Sequence, residues 1–268
     1  MRTPGIADAD RFLALMKRYC IDYVNVGDQS VTRDLMVEDY VLRMGDHEVR
    51  GRDSAYFQAT ATQMTQFPNL MLTVHEIHTS GERLMMRFTE HGRRADDGAR
   101  CAWGGIGLYR WNGDKLIHNN VEQDYWSRRR QIADGTPDLI DHPAVAPWSG
   151  PGEAPDKAAE AIVHAWLESG ALATTPGVFC DEAWQGGTQM RAIEQEGIAI
   201  NDLFSVGDRV AFHVTQQGRS SADFPALPSG HPATLHAAGI VRVQHGQVIG
   251  GRVIRNRMDM MRSARDAA

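Results

Sequence analysis

VHEIHTSGERLMMRFTEHGR (residues 74–93) returns further along the chain as INDLFSVGDRVAFHVTQQGR (residues 200–219). Gly81/Gly207, Arg83/Arg209, Thr89/Thr215, Gly92/Gly218 and Arg93/Arg219 coincide without a gap. Each copy reads strand, Gly-acid-Arg turn, strand, which is a β-hairpin. Working outward, GGIGLYRWNGDKLI (104–117) pairs with AGIVRVQHGQVI (238–249) as a second hairpin. Upstream, ADRFLALMKRYCIDYVNVGD (9–28) and KAAEAIVHAWLESGA (157–171) carry apolar residues at helical spacing, and they stop at Gly27-Asp28 and Gly170. The chain is therefore a duplicated α+β unit, with helices first and a curved antiparallel sheet after.

The stretch ADGTPDLIDHPAVAPWSGPGEAPDK (133–157) holds five of the chain's 11 prolines. Proline at that density blocks helix and strand ladders alike, so it reads as an extended linker. The expected division is a first domain over 1–132, a linker over 133–156 and a second domain over 157–268. Between its first helix and its hairpins the first copy has room for two more helices and a short strand. The second copy has about 25 residues there, TTPGVFCDEAWQGGTQMRAIEQEG, so it has lost an element, and it gains a longer hairpin loop at 220–234.

The formal net charge of −6, with a single basic run at Arg128–Arg130, speaks against a nucleic-acid partner. No window has the length and apolarity of a membrane span, and a cytoplasmic protein is expected. Cys20, Cys101 and Cys180 are widely spaced, so neither a zinc site nor a disulfide framework is indicated. HEIH (75–78) lacks metalloprotease spacing and sits on a strand, where His75 and His78 should face opposite ways. No metal and no cofactor are expected.

HNNVEQDYW (118–126) follows the second hairpin's turn and has no apolar face. Alternation puts His118, Asn120, Glu122 and Asp124 on one side. Such a row needs a cavity, an interface or solvent behind it. In the second copy the matching positions of His118, Glu122 and Asp124 are Gly250, Ile254 and Asn256, so both carboxylates are gone.

The helix ending in Gly-Asp, followed by LMVEDYVLRMGDHEVRGRD (35–53) and QFPNLMLTVHEIHTSGERLMMRFTEHG (66–92), resembles the SnoaL-like polyketide cyclases. These belong to the nuclear-transport-factor-2-like, or ketosteroid-isomerase-like, superfamily. FPALPSGHPATLHAAGIVRVQHGQVI (224–249) is similar to another segment of the same family. The resemblance implies two tandem cones, each a curved sheet wrapped around helices with an apolar pocket at its wide end. Superfamily enzymes generally work without cofactor or metal, through acid/base groups in an apolar cup. There a carboxyl is pushed toward neutral pKa, where general acid/base catalysis is most effective. An Asp on the last strand is the acid/base group of the polyketide cyclases, and Asp124 falls at that position. Glu122 and His118 share its predicted face, and His78 is a further acid/base candidate. Tyr19 resembles the isomerases' hydrogen-bond-donating Tyr, with Tyr23 as its rival one turn on. Arg43, Asp46, His47, Trp103 and Trp126 complete the expected substrate-binding set. The isomerases' base and second donor fall on Met44 and Gly107, so ketosteroid isomerase activity is disfavoured. The implied function is a cofactor-independent lyase or dehydratase, with isomerase or aldol-type cyclase also open. Its substrate would be an apolar aromatic or polycyclic small molecule held in the first domain. The alternatives are a non-catalytic binding or assembly module and an epoxide hydrolase using Arg43 with Asp124. A homo-oligomer is a further option, as is pairing of the two copies within one chain.

Overall fold

The computed structural model describes residues 3–181 and 190–266. Helix α1 (Ala9–Arg18) buries Phe12, Leu13, Leu15 and Met16, so one stripe faces the core. It runs on as a wider π-helical segment, Tyr19–Asn25, which buries Tyr19, Cys20, Tyr23 and Val24. Gly27, at φ +77°, ends the element in the left-handed region. A short helix α2 (Thr32–Leu35) leads into strands β1 (Met36–Met44) and β2 (His47–Arg50), which turn on Gly45. Helix α3 (Phe57–Gln66) follows. Strands β3 (Met71–Thr79), β4 (Arg83–Arg93), β5 (Arg100–Trp111) and β6 (Leu116–Gln123) complete the sheet, and helix α4 (Tyr125–Asp134) closes the unit.

The sheet order is β2-β1-β6-β5-β4-β3. Every pair is antiparallel except β1 with β6, which is parallel. The second unit repeats this plan with helix α5 (Lys157–Glu168), strands β7 (Val178–Cys180), β8 (Ile193–Val206), β9 (Arg209–Ser220), β10 (Pro232–Gln244) and β11 (Gln247–Arg255), and helix α6 (Arg257–Asp266). Its order is β7-β11-β10-β9-β8, with β7 parallel to β11 as β1 is to β6. The fold is thus two tandem cone-like α+β units, and each sheet is mixed rather than purely antiparallel. Among the described residues the second unit has no counterpart of β2 or α3.

Each sheet packs its concave face on its own helices. In the first unit Met86 and Phe88 meet Phe12, Met16 and Cys20; in the second, Phe212 and Val214 meet Val163 and Leu167. The outer faces also carry apolar side chains. Met85, Ile106 and Leu108 of the first sheet pack with Phe204, Ala211, Ala238, Ile240 and Ile254 of the second. Both faces of the central strands are therefore buried, which explains runs such as LMM (84–86) that alternate poorly. The two copies pair back to back within one chain. No helix of the described residues is long and apolar enough to cross a membrane.

Candidate functional site

The concave side of the first sheet encloses a cavity of about 220 Å³. The π-helical segment supplies Tyr19, Tyr23 and Val24; the β1–β2 hairpin supplies Leu42, Met44 and Val49; and Ala59, Thr60, Gln63 and Met64 come from α3. Glu90 lies on β4, Val121 and Gln123 on β6, and Tyr125 opens α4. Tyr56, just ahead of α3, completes the aromatic wall. All six tyrosines of the chain belong to this unit. Five join in a chain of edge-on and tilted ring contacts: Tyr19 meets Tyr23 at 5.6 Å and Tyr109 at 6.0 Å, Tyr23 meets Tyr56 at 6.2 Å, and Tyr56 meets Tyr40 at 5.2 Å. The sixth, Tyr125, packs on Trp103 at 6.4 Å.

One carboxyl lines this cavity, that of Glu90, 7% exposed. It follows Leu84, Met86 and Phe88 on the inward face of β4, so it is the single acidic break in an apolar row. Gln63 Nε2 donates to Glu90 Oε2 at 2.5 Å, and Gln63 Oε1 accepts from the Tyr125 hydroxyl at 3.4 Å. Burial raises the Glu90 pKa to about 7, and the Gln63 hydrogen bond and the Arg128 charge oppose that rise only in part. Arg128 is not in the lining. Its guanidinium stacks over Tyr125 at 4.2 Å and Trp103 at 4.9 Å, so it acts from behind rings. Burial likewise pushes Tyr19, Tyr23 and Tyr56 up, which keeps them neutral hydrogen-bond donors. Tyr19 and Tyr56 share a 3.4 Å hydroxyl contact. The Tyr23 hydroxyl lies near Thr60 and Tyr56 without closing a hydrogen bond. The result is a tyrosine-walled cup with one carboxyl poised between its two protonation states and several phenol donors.

Of the residues singled out from the sequence, Tyr19 and Tyr23 line this cavity. Trp103 stands behind it, donating from Nε1 to Gln123 Oε1 at 2.9 Å. The polar row of HNNVEQDYW does share one face, but that face is the outer one, and the second sheet lies behind it. Asn120 Nδ2 donates to Asp202 at 3.0 Å, and His118 bonds Asn120 at 2.8 Å. Glu122, fully buried, meets His213 Nε2 at 2.8 Å and accepts from Asn256 Nδ2 at 2.9 Å and from the Gly45 amide at 2.8 Å. Asp124 accepts from the Ser127 amide at 3.1 Å as the N-cap of α4, and pairs with Arg257 at 2.7 Å. Behind Asn120 and Glu122 the expected cavity is replaced by an inter-unit contact, while Asp124 borders a separate cavity of about 240 Å³ on the outer side with Arg87, Thr89 and Trp103. These carboxylates are already fully engaged with protein partners.

The other corrections have local causes. A bulge between Val74 and Glu76 shifts the β3 register. His75 therefore bonds Thr89 at 2.7 Å on the outer side, and His78 also turns outward, 3.1 Å from Glu76. His78 does not enter the cavity, and the two histidines do not face opposite ways. Arg43 is held outside by Glu48 at 2.7 Å, which removes it from any substrate clamp and from an epoxide-opening set with Asp124. Asp46 bonds His236 at 3.0 Å, and His47 lies 3.9 Å from Asp259, so the turn carrying both docks on the second unit. Trp126 packs on Phe224 of the second unit at 5.5 Å. Among the described residues no His, Cys, Asp or Glu grouping could hold a metal ion.

Glu90, Gln63, Tyr56 and Gln123 were missed from sequence. A signal for Glu90 was present, because its gapless counterpart in the repeated hairpin is Gln216, the same shape without the charge.

Comparison with known proteins places residues 16–119 on the model of the SnoaL-like domain. No curated protein matches the chain. Among solved structures, a candidate SnoaL-like polyketide cyclase from Jannaschia sp. CCS1 is 15% identical with a TM-score of 0.44, over 50% of this chain and 96% of that one. IdmH, a candidate polyketide cyclase from Streptomyces antibioticus, is 17% identical with a TM-score of 0.41, over 45% and 96%. An LEH-like epoxide hydrolase from M. tuberculosis is 13% identical with a TM-score of 0.39, over 48% and 87%.

Proposed function

We propose, from the match of residues 16–119 to the SnoaL-like domain, that the first unit is a cofactor-independent acid/base enzyme acting on an uncharged aromatic small molecule. The observation that carries this reading is Glu90: a buried carboxyl, with a pKa near 7, inside a tyrosine-walled cavity. At neutral pH such a group is both a competent base and a competent acid. The lining includes no Lys, Arg or His, so a carboxylate or phosphate substrate would be buried without a counter-charge.

Within this class, elimination of water from a β-hydroxy ketone fits the residues best. Glu90 takes the proton from the carbon beside the carbonyl. A tyrosine hydroxyl, Tyr19 or Tyr23, hydrogen-bonds the carbonyl oxygen as negative charge builds there. The hydroxyl leaves with the proton returned by Glu90, giving an enone and water. One carboxyl serves both steps, which suits a cavity with a single acidic residue. Epoxide opening calls on a separate acid and a separate base, and the lining offers no second carboxylate.

The test is turnover of a panel of aromatic β-hydroxy ketones, followed by enone absorbance. Glu90→Gln should lower kcat at least 100-fold while the variant still binds the same compounds. Tyr23→Phe should lower kcat about tenfold. Binding without turnover in the wild type, or a Glu90→Gln variant with unchanged kcat, would replace this reading with that of a non-catalytic binder.

A further inference from the structure

The cavity of the first unit has one wall, the β1–β2 hairpin, that β6 holds along β1 and that the second unit holds at its tip. Leu42, Met44 and Val49 of the β1–β2 hairpin line it, and β2 is the outermost strand of the sheet, paired on one side only. The tip of this hairpin is gripped by the second unit. The Gly45 amide donates to Glu122 Oε1 at 2.8 Å. That same oxygen meets His213 Nε2 of β9 at 2.8 Å, and Glu122 Oε2 accepts from Asn256 Nδ2 at 2.9 Å. Next to it, Asp46 bonds His236 of β10 at 3.0 Å, and His213 and His236 stack at 6.5 Å. The fit leaves no room for a side chain at the tip. A Cβ on residue 45 would lie 2.0 Å from Asp259 Oδ2 and 2.9 Å from Asn256 Nδ2, and the backbone there has φ +57°. Glycine therefore serves both the turn and the close approach.

We infer that the second unit is the positioning half of the site: through His213 and Asn256 it fixes Glu122, and through Glu122 it sets the hairpin that walls the first unit's cavity. This deepens the reading of that cavity as the working site, and it assigns a task to a copy whose counterpart of Glu90 is the uncharged Gln216. Glu122 is the relay: a first-unit residue, 0% exposed, bonded on one side to the hairpin and on the other to the second sheet. Its counterpart in the second unit is Ile254, which packs in the apolar contact between the sheets, so the relay runs in one direction only. The inference concerns geometry and not chemistry, because none of these residues lines the cavity.

The experiment compares wild type, His213→Ala and His213→Gln as full chains, by amide hydrogen exchange and methionine-methyl NMR, with no substrate present. Gln keeps a donor for Glu122 and Ala does not. In His213→Ala, amides of residues 42–50 should exchange at least tenfold faster and the Met44 methyl should shift and broaden. Strands over residues 83–111 should keep wild-type rates. The Met85 methyl, in the apolar contact between the sheets, should stay unmoved, showing the units still docked. His213→Gln should restore the hairpin. If His213→Ala does not fold, Asp46→Ala removes the neighbouring latch from an exposed side chain and should speed the same amides about threefold. Hairpin exchange at wild-type rates, a rise shared equally by strands 83–111, or no recovery in His213→Gln overturns the inference. Because no readout involves turnover, failure of the acid/base reading of Glu90 would leave these results standing and would be recognised separately.

Discussion

At the scale of single residues, Glu90 and Glu122 show how burial alone does not define a role. Both are glutamates on strands of one sheet, and both are nearly inaccessible. Glu122 is surrounded by a histidine, an asparagine amide and a backbone amide, so its lone pairs are spent on the fold. Glu90 has Gln63 and a cavity, so its protonation state is the adjustable quantity. The consequence for stability can be worked out. The folded pKa of Glu90 is raised, to about 7 from an ordinary 4.5, so the fold holds the protonated form better. The associated stability is complete below pH 4.5 and is lost as pH rises through about 7. Its full size is roughly 3 kcal/mol, from 1.36 kcal/mol for each pH unit between the two values. Glu90→Gln should therefore flatten the pH dependence, and above pH 8 it should be the more stable protein. Urea denaturation at pH 5 and pH 8.5 checks this: a wild-type-minus-variant difference that is equal at both values would show that Glu90 is not held neutral.

At the scale of elements, the helix that closes each unit explains why HNNVEQDYW was informative and why its face was hard to assign. The alternation of His118, Asn120, Glu122 and Asp124 is a property of the strand and could be read directly. What lies behind a face is a tertiary fact, and an interface and a cavity both tolerate polar residues. The cap is the missing clue. Asp124 and Asn256 occupy matching places before α4 and α6, and each accepts from the backbone amide three residues on, Ser127 at 3.1 Å and Asp259 at 3.1 Å. The duplication kept an Asx residue there because a helix start wants one, whichever chemistry surrounds it. Asp124 has the further burden of Arg257, which is fully buried. Asp124→Ala should cost roughly 3–5 kcal/mol, because it removes a cap and one partner of a buried ion pair. Asn256→Ala should cost about 1–2 kcal/mol for its cap, plus the bond to Glu122. Thermal or urea unfolding measures both, and equal losses would show that the Asp124–Arg257 pair adds nothing beyond capping. The bulge in β3 is the opposite case. One extra residue at His75 turned His78 away from the cavity, and no turn residue in VHEIHTS announces it.

At the scale of the whole molecule, the duplication itself was plain in the sequence, and so was the α+β plan of each copy. The way the copies meet was not, although the repeated residues record it. Arg83 and Arg209 coincide in the gapless pairing of 74–93 with 200–219, and so do Glu76 and Asp202. In the folded chain they exchange partners: Arg83 Nη2 bonds Asp202 at 2.6 Å, and Arg209 Nε lies 3.4 Å from Glu76. This is the reciprocal pattern of a two-fold interface, in which residue i of one copy meets j of the other and j meets i. The tandem chain thus behaves as a homodimer joined end to end, whose two halves have since diverged. The two arms are no longer equal. Asp202 is nearly inaccessible and also takes Arg110 at 3.4 Å and Asn120 at 3.0 Å, whereas Glu76 is shared with His78 and stands about a quarter exposed. Arg83 also covers the Phe204 ring at 4.1 Å. Arg83→Ala leaves a buried aspartate short of its main partner and should destabilise the protein by roughly 3 kcal/mol. Arg209→Ala breaks a longer, partly exposed pair and leaves Glu76 its His78 contact, so it should cost under about 1 kcal/mol. Two symmetric halves would lose the same amount from each change. Equal losses in urea unfolding would therefore mean that the original two-fold is energetically intact, while the predicted gap of about 2 kcal/mol would show the interface reorganised around Asp202, on the side where Asn120 and Glu122 of the first sheet face the second.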